Sequence, residues 1–214
     1  SEALVRWPGS VGPDVFIPLA EENGTIVRIG DFVLREAIKR VAEHGCPSGT
    51  KLGPDCLGMA INVSGDQLAH DGFAASVARL LQEFDLQPAA ITIEITESAL
   101  LSHREPVLNE LEQLDSLGVK LALDDFGTGW SSLSLLQQFP ISVIKIDRSF
   151  VAGMTTSSDD LAIVQAVIQL GGALGHTVVA EGVETQEQAD KLSELGCKVA
   201  QGYFFGRPEI PVPR

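Results

Sequence analysis

Strand-like and helix-like stretches alternate along the whole of this chain, and the strand-like ones end on acids, amides or a lysine. They lie at residues 1–4, 60–64, 93–97, 123–127, 144–147, 180–184 and 200–203. Strict alternation predicts a mostly parallel sheet flanked by helices. Polar groups at the ends of many strands predict a barrel, the fold that gathers site residues from its strand ends at one face. Helices are expected over 27–44, 73–84, 106–117, 131–138, 160–174 and 186–195, with Gly118, Gly175 and Gly196 as stops.

Parity within the strands supports the barrel. Residues 91, 93 and 95 are isoleucine, whereas Thr92, Glu94 and Thr96 alternate with them. Alternate residues of a strand face opposite sides, so the isoleucines are expected under the helices and the polar set inside the barrel. The same split sets Asn62 and Ser64 against Ile61 and Val63. It sets Asp124 against Leu121 and Leu123, Lys145 against Ile144 and Ile146, and Glu181 against Val178 and Ala180. It also puts Glu2, Leu4 and Arg6 on one face. A doubly wound open sheet would instead show strands apolar on both faces. Seven strands are legible where a (βα)8 barrel needs eight. The expectation is one domain over residues 1–214, truncated before its first strand.

Composition narrows the function. A chain of 214 residues, 44% of them hydrophobic, can bury one substantial core. No apolar run reaches the roughly 18–20 residues that span a bilayer, and no signal peptide is visible; the expected location is cytoplasmic, for a domain that a membrane-anchored protein could also carry. The net charge of −14 excludes duplex nucleic acid as a partner bound through phosphates. Cys46, Cys56 and Cys197 form no C-x-x-C pair and read as reduced thiols. The histidines His44, His70, His103 and His176 fall on helices or in loops, so none is a candidate ligand.

Carboxylates and an amide oxygen converging from neighbouring strands make a hard oxygen-donor site, suited to Mg²⁺ or Mn²⁺ rather than zinc. Asp124-Asp125 is the sharpest detail. Both side chains can reach one site only if the strand ends there and the chain turns, and Gly127 and Gly129 can supply that turn. Asp124 could then bridge two metals, with Asp125 on the second. Two divalent ions are the usual device for in-line phosphodiester hydrolysis. Lys145 could stabilise developing charge or orient the attacking water. Glu181 could ligate the second metal or help take the water's proton. Arg6 is placed to grip a phosphate. Taken singly, each feature is weak: a lone lumen amide or Lys–Glu pair is commonly structural, and Gly127-Thr128-Gly129 is no phosphate loop. Their co-occurrence at successive strand ends carries the argument.

At these residues the chain resembles the EAL domain family of bacterial cyclic di-GMP phosphodiesterases. The motifs are Glu2-Ala3-Leu4 with Arg6, Asn62-Val63-Ser64, Glu94-Ile95-Thr96-Glu97, Asp124-Asp125-Phe126-Gly127-Thr128-Gly129, Lys145-Ile146-Asp147, Ala180-Glu181-Gly182-Val183-Glu184 and Gln201-Gly202-Tyr203. The resemblance implies a (βα)8 TIM-like barrel of EAL type whose first, antiparallel strand is missing here. It implies two Mg²⁺ or Mn²⁺ ions per active site, one on Glu2, Asn62, Glu94 and Asp124, the other on Asp124, Asp125 and Glu181. Lys145, Glu181 and Asp125 would be catalytic. Leu4, Arg6, Pro18, Asp147 and Gln201 would bind cyclic di-GMP, and Glu97 and Glu184 would support loops. The implied reaction is hydrolysis of cyclic di-GMP to linear pGpG. The implied partners are a second copy of the domain and upstream sensory or GGDEF-type domains. The alternative is a receptor that holds cyclic di-GMP without cleaving it. Trp130 stands where the family commonly has Tyr, Ser142 where it often has Asp, and residues 45–58 match no known role.

Overall fold

The computed structural model describes residues 1–7, 11–44, 58–102, 104–127 and 133–208. The chain opens with β1 (Glu2–Ala3), α1 (Pro13–Glu22), α2 (Ile26–His44), β2 (Met59–Asn62), α3 (Gly65–Leu68) and α4 (Phe73–Glu83). Next come β3 (Ile91–Thr96), α5 (Glu97–Ser102), α6 (Arg104–Leu117), β4 (Lys120–Phe126) and α7 (Leu133–Gln138). It continues through β5 (Val143–Ile146), α8 (Arg148–Gly153), α9 (Ser158–Leu174), β6 (Thr177–Ala180), α10 (Gln186–Glu194) and β7 (Val199–Ala200). The strands lie in the sheet in chain order. The β1–β2, β2–β3, β5–β6 and β6–β7 pairs are parallel, as alternation with helices requires.

The chain divides into two compact units, residues 1–122 with 133–140 and residues 123–132 with 141–214. In the first, β2 and β3 pair from Met59↔Ile91 to Asn62↔Glu94. Ile91, Ile93 and Ile95 are fully buried, in agreement with their parity. The helices bury stripes at helical spacing: Leu34, Ile38 and Val41 on α2, Val77, Leu80 and Leu81 on α4, and Leu111 and Leu114 on α6. Each such side chain contributes about 1.5–3 kcal/mol on leaving water.

In the second unit, β5 and β6 pair from Val143↔Thr177 to Ile146↔Ala180. Ile144 and Ile146 are buried beside them. Caps set the helix starts. Asp147 accepts from the Ser149 N–H at the head of α8, and Ser157 from Asp160 N–H at the head of α9. Thr185 and Gln188 close a capping box on α10. The three glycines expected as helix stops all take positive φ.

Three features differ from expectation. The β1 ladder ends at Ala3↔Ile61, so strand parity does not govern Leu4 and Arg6. The Arg6 guanidinium instead folds back on the Val5 carbonyl at 2.9 Å. Strand β4 runs on to Phe126, past the expected strand end at Asp124-Asp125. Two six-residue helices, α5 and α8, occupy stretches expected as strand exits. The expectations on residues 45–57, His103 and residues 128–132, with Cys46, Cys56, Gly129 and Trp130 among them, lie outside the described residues.

Candidate active site

In the second unit, the end of β4 turns within the Asp124-Asp125 pair. Asp125 has φ of 53°, the left-handed region, which a short polar side chain tolerates better than most. That residue breaks the alternation that would send the two carboxylates apart. Its own N–H donates to Asp124 Oδ1 at 3.0 Å. The expected turn at Gly127 and Gly129 is thus made two residues earlier, with Gly127 at φ 100° after it. Oxygens of Asp124, Asp125 and Glu181 consequently lie within 4.8 Å of one another.

Lys145 rises from β5 into this group and is only 2% exposed. Its Nζ lies 3.1 Å from Asp124 Oδ1 and 2.7 Å from Glu181 Oε1. Gln201, just past β7, donates from Nε2 to the same Glu181 oxygen at 2.7 Å. Gly202 permits that approach: a Cβ there would lie 2.2 Å from the Val183 backbone N and O. Val183 N–H donates to Gln201 O, and Phe204 N–H to Val183 O, each at 3.0 Å, which ties the two strand exits together.

Charge is concentrated here. Burial, then the nearby Asp124 and Asp147 carboxylates, push Asp125 above the usual range for an aspartate, against the lowering effect of Lys145. Burial also acts to raise Asp147. Hydrogen bonds from the Ser149 hydroxyl, the Ser149 and Arg148 N–H groups and Asp125 outweigh it and hold Asp147 below its ordinary value. Asp147, expected at the substrate, is therefore also the cap of α8. One ammonium faces the carboxylates of Asp124, Asp125 and Glu181, and like charges this close repel unless a cation joins them. The donors are all carboxylate oxygens, which fits Mg²⁺ or Mn²⁺.

The first unit assembles a second oxygen set. Asn62 and Glu94 are register partners on β2 and β3. Asn62 Nδ2 donates to Glu2 Oε1 at 2.8 Å. Glu94 is 4% exposed. Asn62, Glu94, Leu4 and Arg6 line a cavity of about 550 Å³. Pro18 lies exposed in the interior of α1, and Glu97 is the buried first residue of α5. The loop that Glu97 is expected to support lies partly outside the described residues. The Glu184 side chain is exposed, while its N–H donates to Gln188 Oε1 at 2.7 Å.

Sequence reasoning missed Gln67, which lines the same cavity and is 4% exposed. It forms a capping box with Ser64 at the head of α3. The S-x-x-Q spacing from Ser64 to Gln67 could have revealed it.

A family model described as the EAL domain matches residues 1–208. The chain belongs to the EAL domain family. This EAL domain is 43% identical over 213 residues to MucR of Pseudomonas aeruginosa, a bifunctional diguanylate cyclase/cyclic di-GMP phosphodiesterase. The match covers 97% of the chain and 30% of MucR, so the domain spans less than a third of that relative's length. The solved MucR phosphodiesterase, in complex with c-di-GMP, superposes with a TM-score of 0.86 at 42% identity, covering 97% of this chain and 83% of that one. BlrP1 of Klebsiella pneumoniae, solved as a manganese/cyclic di-GMP complex, gives a TM-score of 0.82 at 33% identity, with 97% and 51% covered. The EAL domain fold, of TIM-barrel-like (βα)8 class, is thereby that of this chain.

Proposed function

We propose that this EAL domain hydrolyses cyclic di-GMP to linear pGpG by two-metal activation of water. The observation that carries the proposal is the convergence of Asp124, Asp125 and Glu181 around a buried Lys145, in a chain matched over 97% of its length to relatives with phosphodiesterase names. Asp124, Asp125 and Glu181 would hold one divalent ion, and Glu2, Asn62 and Glu94 would be oxygen ligands for another. Mg²⁺ and Mn²⁺ suit both sets. Bound there, such ions neutralise phosphate charge and lower the pKa of water to near neutrality.

The chain's own groups supply the rest. Lys145 is itself buried and is fixed by two carboxylates, so its ammonium is held in place to act on developing negative charge. Glu181 Oε1 accepts from both Lys145 and Gln201, which orients its carboxylate to take a proton. Arg6 and Leu4, on the cavity wall, hold a phosphate and an apolar edge of the dinucleotide. Asp147, Gln201 and Pro18 complete the substrate contacts proposed from the resemblance. Homodimerisation and control by upstream sensory or GGDEF domains in the cytoplasm belong to the same proposal. The domain's small share of MucR leaves room in that relative for other domains.

The test is chromatographic conversion of cyclic di-GMP with Mg²⁺, Mn²⁺ or EDTA. Metal-dependent appearance of pGpG is expected. Tight binding without turnover in every metal would replace the proposal with a receptor.

A further inference from the structure

We propose that Gln67 is a positioning residue for Asn62, and that Gly30 of α2 is the seat that lets it act. The inference rests on Asn62 being a metal ligand, as proposed above. Strand β2 ends at Asn62, and two clamps hold the chain beyond it. Val63 N–H donates to Glu94 O at 3.0 Å, continuing the ladder for one residue. The Ser64 N–H and Oγ–H then donate to Gln67 Oε1, each at 3.3 Å, while Gln67 N–H donates back to Ser64 Oγ at 3.3 Å. Because a backbone N–H can only donate, Oε1 must face Ser64, and the orientation of the amide is fixed.

The other half of the amide lies on Gly30. A Cβ at residue 30 would stand 1.6 Å from Gln67 Nε2 and 2.1 Å from its Cδ, so no side chain can coexist with this rotamer. Gly30 sits in the interior of α2, at a φ outside the left-handed region. There a Gly→Ala change ordinarily stabilises the helix. The position therefore forgoes helix propensity, and the packed amide is what occupies the vacated space. Gln67 bonds to Ser64, two residues beyond Asn62, so it acts on Asn62 through the backbone; outer groups that orient a metal ligand typically change metal affinity by roughly 10–100-fold when lost.

The experiment compares Gly30→Ala, Gln67→Met, Gln67→Glu, Gln67→Ala and the double variant Gly30→Ala/Gln67→Ala with the wild type. The readouts are the Asn62 side-chain amide resonances of the metal-free protein and Mn²⁺ affinity by calorimetry. Gly30→Ala and Gln67→Met should shift the Asn62 resonances and weaken Mn²⁺ binding about 10-fold or more. Gly30→Ala should lower the melting temperature when made in the wild type. Added to Gln67→Ala it should not, since the clash is gone there. Gln67→Glu, which keeps the acceptor, should restore both readouts towards wild type. Unmoved Asn62 resonances in Gly30→Ala and Gln67→Met would overturn the proposal, as would a Gln67→Glu variant as impaired as Gln67→Met. A wild-type chain with no Mn²⁺ affinity would overturn the metal reading instead, and the resonance comparison would still decide the role of Gln67.

Discussion

Asp125 carries two properties that separate under mutation. Its carboxylate joins the acidic cluster, and its backbone takes a left-handed turn that L residues other than Asn and Asp resist by about 1–2 kcal/mol. Asp125→Asn and Asp125→Ala should both abolish turnover, whereas only Asp125→Ala should lose stability in addition, by roughly 1 kcal/mol in urea unfolding. Equal stabilities would show that the turn is not strained. Lys145 offers the complementary case. Lys145→Met removes a buried ammonium from between Asp124 and Glu181. In EDTA, that should cost roughly 3–5 kcal/mol, the usual penalty for breaking one side of a buried ion pair. A variant as stable as wild type would show that the two acids find relief without it. The residues of this cluster were legible in the sequence, because acids at successive strand ends have no structural excuse. The turn at Asp125 was not, since glycines two and four residues on offered a cheaper turn, and a positive φ at Asp leaves no mark in the sequence.

At the scale of elements, most helices and strands follow from hydrophobic period and glycine stops, and the exceptions share a cause. Helices α5 and α8 are six residues long, too short for a period to register, and exist because caps and packing nucleate them. Helix α4 shows the same dependence on distant partners. Its N-cap is Gly72, which has no side chain to satisfy the first N–H groups. Glu110 of α6 does so from 36–38 residues away: Gly72 N–H donates to its Oε1 at 3.0 Å and Ala74 N–H to its Oε2 at 2.6 Å. Glu110 is 4% exposed, and removing it leaves the buried Ala74 N–H without this acceptor. Glu110→Ala should destabilise by about 1–3 kcal/mol, read as a lower urea midpoint at unchanged slope. A change below a few tenths would mean that water replaces the carboxylate. No local signal announces such a cap, which is why the sequence placed the helix correctly and left its anchor unseen.

For the whole molecule, a net charge of −14 and an acidic cluster at the strand ends make folding and metal binding one equilibrium. An ion that binds the folded chain alone stabilises it by mass action, about 2.7 kcal/mol at a hundredfold excess over its dissociation constant. For a chain of this size, that corresponds to a rise of roughly 5–10 °C in melting temperature. Mg²⁺ or Mn²⁺ should therefore raise the midpoint by this amount over EDTA. NaCl at matched ionic strength should not, because screening relieves surface repulsion without filling a ligand set. Asp124→Asn separates the two effects further: it removes one charge of the cluster and should lose most of the metal-dependent rise while keeping the response to salt. A shift of equal size in Mg²⁺ and in matched NaCl would reduce the acidic cluster to a patch of surface repulsion. A full metal-dependent shift retained in Asp124→Asn would place the stabilising ion on residues other than Asp124.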